Sequence, residues 1–184
     1  MGTRGNWPRH HFPNLTYGKN ANHRITSRKT ERYNCIAWAN DDIERPWWPG
    51  YIDYYWPPGI SDTEEIASFV EAFELIGYSI CADGSFEQGF EKVAIYASKN
   101  GAPTRAARQL RSGKWTSKMG DFEDIEHDHY DNVNGPSYGA AAAFMRRPIV
   151  PLSLSKIIFR FFRCIRVLCG ETYWRTVALV KRIP

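Results

Sequence analysis

Cysteine, histidine and clustered carboxylates are the side chains here whose spacing can carry chemistry. Cys35 follows Tyr33-Asn34 and opens the run Ile36-Ala37-Trp38-Ala39. That run reads as a helix, which places the thiol in its first or second turn. A helix N-terminus favours thiolate, so a cysteine there can be a nucleophile near neutral pH. Position alone favours a plainer role, because most free cysteines are small buried core residues. His127 and His129 close the acidic run Asp121-Phe122-Glu123-Asp124-Ile125-Glu126-His127-Asp128-His129. Carboxylates and imidazoles suit a divalent ion. One local segment rarely closes a coordination sphere, however, and acidic runs are usually solvated. His10, His11 and His23 are too loosely placed to add ligands. Cys81, Cys164 and Cys169 show no CxxC spacing, and the last two have no zinc partners in reach. No metal and no cofactor are expected.

The elements that would position these groups are read from periodicity. Residues 1–29 are rich in Asn, His, Arg, Pro and Gly and predict an irregular arm, laid over the body through Trp7, Phe12, Leu15 and Tyr17. Thr30 and Glu31 suit a helix start for the Cys35 segment. Asn34 and Asn40 flank that helix. Asn34 could polarise an oxyanion, but capping is its commoner task. Residues 45–60 hold four prolines and the rings of Trp47, Trp48, Tyr51, Tyr54, Tyr55 and Trp56, so a long helix is excluded there. Trp47, Trp48 and Trp56 could stack on a sugar or peptide, although such rings more often pack a loop onto the core.

Ser61-Asp62-Thr63-Glu64 has the S-x-x-E capping pattern, and Ile66, Phe69, Val70, Phe73 and Ile76 follow at helical spacing up to Gly77. A helix over about 62–76 is predicted. Strand-like runs follow at 78–81, 92–97, 104–110, 114–118 and 137–145, with a hairpin turn at Ser112-Gly113. Helices followed by an antiparallel sheet form an α+β pattern.

Charge is unevenly spread. Residues 1–30 carry a net +6, residues 31–148 a net −8 and residues 149–184 a net +6. An acidic body argues against a nucleic-acid-binding core. In the basic tail, Leu154, Ile157, Ile158, Phe161, Ile165 and Leu168 share one helical face, opposite Lys156, Arg160 and Arg163. A helix over residues 152–169 would seek a partner: the acidic body, a second chain in a homodimer, or a membrane surface. No apolar run is long enough to span a membrane, and the first residues hold no secretory-type apolar stretch. A cytoplasmic chain with reduced thiols is the expectation, and delivery as an effector is compatible with it.

Several strings, taken in order, resemble a family of uncharacterised bacterial domains. They are Tyr33-Asn34-Cys35-Ile36-Ala37-Trp38-Ala39, Trp47-Trp48-Pro49, Tyr55-Trp56-Pro57 and the Phe69-to-Gly77 helix. Further along are Gly89-Phe90-Glu91-Lys92-Val93-Ala94-Ile95-Tyr96, Ala106-Ala107-Arg108-Gln109-Leu110, Gly113-Lys114-Trp115-Thr116-Ser117-Lys118-Met119-Gly120 and Asp124-Ile125-Glu126-His127. The resemblance spans roughly residues 13–148. More distantly the layout is similar to papain-like NlpC/P60 amidases.

That resemblance implies an α+β, papain-like fold, with a Cys-bearing helix on a small antiparallel sheet. It implies Cys35 as nucleophile, with a histidine base opening the 104–110 strand and a third polar group on a neighbouring strand. Arg105 stands where the base is expected. A guanidinium stays protonated and cannot accept a proton, although it can hold a thiolate or bind a carboxylate. His127 is then the remaining base, Ser117 the orienting group, and Asn34, Trp48 and Trp56 the flanking contacts. Three readings follow. The chain is a cysteine hydrolase acting on a peptide or peptidoglycan amide, compromised by Arg105. It is an inactive binding module. Or it is a small toxin or effector whose basic helix reaches a membrane or partner.

Overall fold

Val93-Ala94-Ile95-Tyr96 is buried at every position, so both faces of the strand that contains it must be covered. The computed structural model describes Gly5 and residues 7–149 of the chain. It places seven strands in one sheet: β1 (His23–Ile25), β2 (Ser79–Cys81), β3 (Phe90–Ala97), β4 (Pro103–Gln109), β5 (Trp115–Lys118), β6 (Asp124–His127) and β7 (Ala140–Pro148). Their spatial order is β1-β6-β5-β4-β3-β7-β2, and every pairing is antiparallel. The two helices are short, α1 (Cys35–Ala39) and α2 (Ile66–Leu75).

The expected papain-like α+β layout is therefore corrected to a sheet-dominated fold. Two local causes cut the helical content. The first helix starts at Cys35, with Asn34 rather than Thr30 as its cap, and stops at Asn40 before Asp41 at φ 63°. The second starts four residues later than expected. Glu65 caps it without a side-chain bond, while the Ser61 and Thr63 hydroxyls bond each other and Ser68. Gly77, at φ 94°, ends α2 as glycine ends helices.

One sheet face packs against α1, α2 and the aromatic loop, with Ile36, Trp47, Phe69, Phe73, Val93, Ile95, Ala106 and Met145 in its core. The other is covered by the N-terminal arm. Trp7, Phe12 and Leu15 meet Tyr96, Ala107, Trp115, Ile125 and Tyr138 there. The arm also contributes β1, whose pairing with β6 extends the sheet by one strand. The β4–β5 hairpin closes through Leu110 N to Lys114 O, with Gly113 at φ 84°. Among the described residues no helix is long and apolar enough to cross a membrane. The proposed 152–169 helix, Cys164 and Cys169 lie outside the described residues.

Candidate functional site

Asn34 sets the position of Cys35. Its Oδ1 accepts from Ala37 N and from Trp47 N, each at 3.1 Å, while its Nδ2 donates to Trp47 O at 2.7 Å. One side chain thus caps α1 and ties the aromatic loop to it. With only five residues, α1 adds little dipole field at the thiol. Neighbouring side chains must supply the electrostatics instead.

The nearest of these is the one expected at the base position. Arg105 Nη1 lies 3.8 Å from Cys35 Sγ. The sulfur's field is the main reason that the guanidinium sits above its ordinary range, against the opposing effect of burial. Tyr138 lies close by, its ring centroid 5.9 Å from the Arg105 guanidinium and its hydroxyl donating to Lys118 O at 2.8 Å. Burial, then Cys35, push that phenol far above its usual range.

Lys118 is completely buried on β5. Its ammonium donates to the Phe122 carbonyl and lies 5.5 Å from the Tyr33 ring. Burial pushes it down, and Asp124, Asp121 and Cys35 oppose that shift. Asp124 faces Lys118 across the β5–β6 pair and accepts from Tyr33 Oη at 2.6 Å. Lys118, Asp124, Tyr33 and Tyr138 are absent from the sequence-based site. A lysine beside a predicted hairpin reads as a solvated edge, and only the fold buries it. The one available signal was the alternation of Thr116 and Lys118 on the face that receives α1.

His127 and Ser117 do meet, at 2.9 Å between Nε2 and Oγ, but they do not meet Cys35. Parity along the strands explains this. Trp115, Ser117, Ile125 and His127 share one face of the β5–β6 pair, with Trp115 and Ile125 in the core under the arm. Thr116, Lys118 and Asp124 share the other, where Trp38 Nε1 of α1 donates to Thr116 at 3.0 Å. The His127 Nδ1 lies 2.8 Å from the His129 carbonyl, which can only accept. The proton is therefore on Nδ1, and Nε2 accepts from the Ser117 hydroxyl. Burial, reinforced by His23, holds this imidazole down at about 4, so it stays neutral at pH 7. It is a satisfied core histidine with no free lone pair for a nucleophile.

Trp48 and Trp56 both pack edge-on against Phe69 of α2, each with 5.1 Å between ring centroids. With Tyr51, Tyr54, Pro57 and Ile60 they line an open groove of about 480 Å³, and neither Cys35 nor Arg105 is part of its lining. His129 caps the short turn of helix at Tyr130–Val133. Among the described residues no three His, Cys, Asp or Glu side chains converge as metal ligands.

The family model described as "Domain of unknown function (DUF7689)" matches residues 24–146, which contain α1, α2, and every residue of the Cys35 cluster. No curated protein and no solved structure matches the chain.

Proposed function

We propose that this chain, which belongs to the DUF7689 family, is a non-catalytic binding module built on a cysteine site. One observation carries the reading: the group in contact with the Cys35 sulfur is the Arg105 guanidinium. Amide hydrolysis by a thiol needs a group that takes the thiol proton and returns it to the leaving amine. A guanidinium does neither. The best-placed imidazole, His127, has both nitrogens engaged on the far side of the sheet. The second reading, a cysteine amidase, is favoured by the retained Cys35 beside a cation that would stabilise its thiolate.

The discriminating experiment is a panel of peptides and muropeptides offered to the parent, Cys35→Ala, Arg105→His and His127→Gln proteins. The parent is expected to release no more amine than Cys35→Ala. Arg105→His is expected to gain Cys35-dependent turnover, because an imidazole at this position can exchange a proton with the sulfur. Cys35-dependent hydrolysis by the parent would establish the amidase instead. Its loss in His127→Gln would return the base role to His127.

A further inference from the structure

A buried cation ordinarily has an acid beside it, because an uncompensated charge is costly to remove from water. Several half-buried and buried cations of this sheet obey that rule in full. Arg108 pairs with Asp41 at 3.0 Å and with Glu91 at 3.7 Å. Lys92 lies 3.7 Å from Asp83 and 3.8 Å from Glu87. Lys118, opposite Asp124 across the strand pair, is held by the Phe122 carbonyl and lies in the field of Asp124. Arg105 has only the Cys35 sulfur at 3.8 Å and the face of Tyr138. Among the described residues no acid lies within ion-pair distance of it, and Asp121 acts on it only from farther away. A guanidinium has five N–H donors, and one sulfur satisfies at most a weak one.

Glycine at position 120 places no side chain beside Arg105. Gly120 stands there at φ 67°, and a Cβ on it would meet nothing within 4 Å except Arg105 Nη2 at 3.7 Å and Nη1 at 3.9 Å. No side chain at position 120 covers the guanidinium from that side.

We infer that Arg105, next to Gly120 and beside Cys35, binds the carboxylate of a ligand. The planar fork of arginine matches a carboxylate with two parallel hydrogen bonds. The charge count also selects that group. Arg105 has no acid within ion-pair distance, so it is a single positive charge that one carboxylate neutralises. A phosphate dianion would leave one of its two charges unanswered by Arg105. This inference rests on the binding-module reading and names its ligand class.

Cys35 itself reports on the site. Its sulfur can displace iodide from iodoacetate or iodoacetamide, forming an S–CH2 bond while iodide leaves with the C–I pair and the thiol proton passes to water. The two reagents differ in carrying a carboxylate or a neutral amide. Peptide mapping by mass spectrometry after timed labelling at pH 7 and low salt separates Cys35 from Cys81. Iodoacetate is expected to modify Cys35 faster than iodoacetamide by about tenfold, the value of one charge-assisted contact. Cys81, half-buried elsewhere on the sheet, is expected to show no such preference. Arg105→Gln should abolish the preference at Cys35 and leave Cys81 unchanged, and Arg105→Lys should retain part of it.

Propionate, a tripeptide with a free C-terminus and the same tripeptide amidated are then added as competitors. Protection by both acids and not by the amide identifies the carboxylate as the recognised group. Protection by the tripeptide acid at much lower concentration than propionate identifies a peptide C-terminus as its source. Equal reagent preference at Cys35 and Cys81, failure of both reagents to reach Cys35 in the folded protein, or equal protection by the amide would overturn the inference. Amide turnover by the parent would overturn the non-catalytic reading while leaving the iodoacetate preference intact, so the two failures are distinguishable.

Discussion

Asp124→Ala lowers the unfolding free energy by about 3 kcal/mol, the cost of leaving the buried Tyr33 hydroxyl without its acceptor and of removing the field of a carboxylate from buried Lys118. In a chain of this size that corresponds to a fall in the thermal midpoint of roughly 10 °C or more. Asp124 is 1% exposed and faces the fully buried Lys118 across β5–β6. Its carboxylate accepts from Tyr33, and its backbone N–H donates to Ser27 Oγ at 2.8 Å. Burial raises the carboxyl and lowers the ammonium, and each charge opposes the shift of the other. Truncation leaves Lys118 with the Phe122 carbonyl, the Tyr33 ring and the fields of Asp121, Cys35 and Glu123, and takes from the Tyr33 hydroxyl its Asp124 acceptor. Urea titration of Asp124→Ala, Lys118→Met and the double variant checks this. The double variant should be more stable than Asp124→Ala alone, because it removes the stranded charge. A cost below about 1 kcal/mol for Asp124→Ala would show that the pair is dispensable.

Stability should also fall as the pH drops from about 6.5 to about 4, and His127 should account for a loss on the order of 3 kcal/mol. The folded imidazole is held down at about 4 by burial. In the unfolded chain it titrates near 6.5. Between those values the unfolded state binds a proton that the folded state refuses, so acid favours unfolding. Above about 6.5 both states are neutral and the contribution is constant. His127→Gln can keep hydrogen bonds to Ser117 and the His129 carbonyl but cannot titrate. The stability difference between parent and variant should therefore shrink on acidification and be flat above pH 7. A difference that stays constant from pH 7 to 4.5 would contradict a buried neutral His127.

Strands β3, β4 and β5 were legible because their patterns and the Ser112-Gly113 turn need only local rules. The body of α2 was legible for the same reason. Its start was not, because three hydroxyl residues, Ser61, Thr63 and Ser68, bond one another instead of capping the helix. β1, His-Arg-Ile, has no strand signature of its own and exists through its pairing with β6. The papain-like layout failed because the arm covers a second sheet face, which helix-and-strand reading alone does not reveal.

The site divides along the same line. Arg105 entered the sequence reading only as the base position of a papain-like layout that the structure does not have, and it is the fold that sets it 3.8 Å from the Cys35 sulfur. The assignment of His127 was not, because one residue along a strand exchanges one face of a sheet for the other. Lys118 and Asp124 escaped notice since burial, not residue type, makes them a pair.

An arginine, and no imidazole, adjoins the Cys35 sulfur. A high-resolution crystal structure of the parent protein measures it directly. The expected result is the Arg105 guanidinium within about 4 Å of Sγ, with His127 Nε2 on the Ser117 hydroxyl across the sheet. An imidazole nitrogen within about 3–4 Å of Cys35 Sγ would contradict it and restore a thiol–imidazole pair competent for amide hydrolysis.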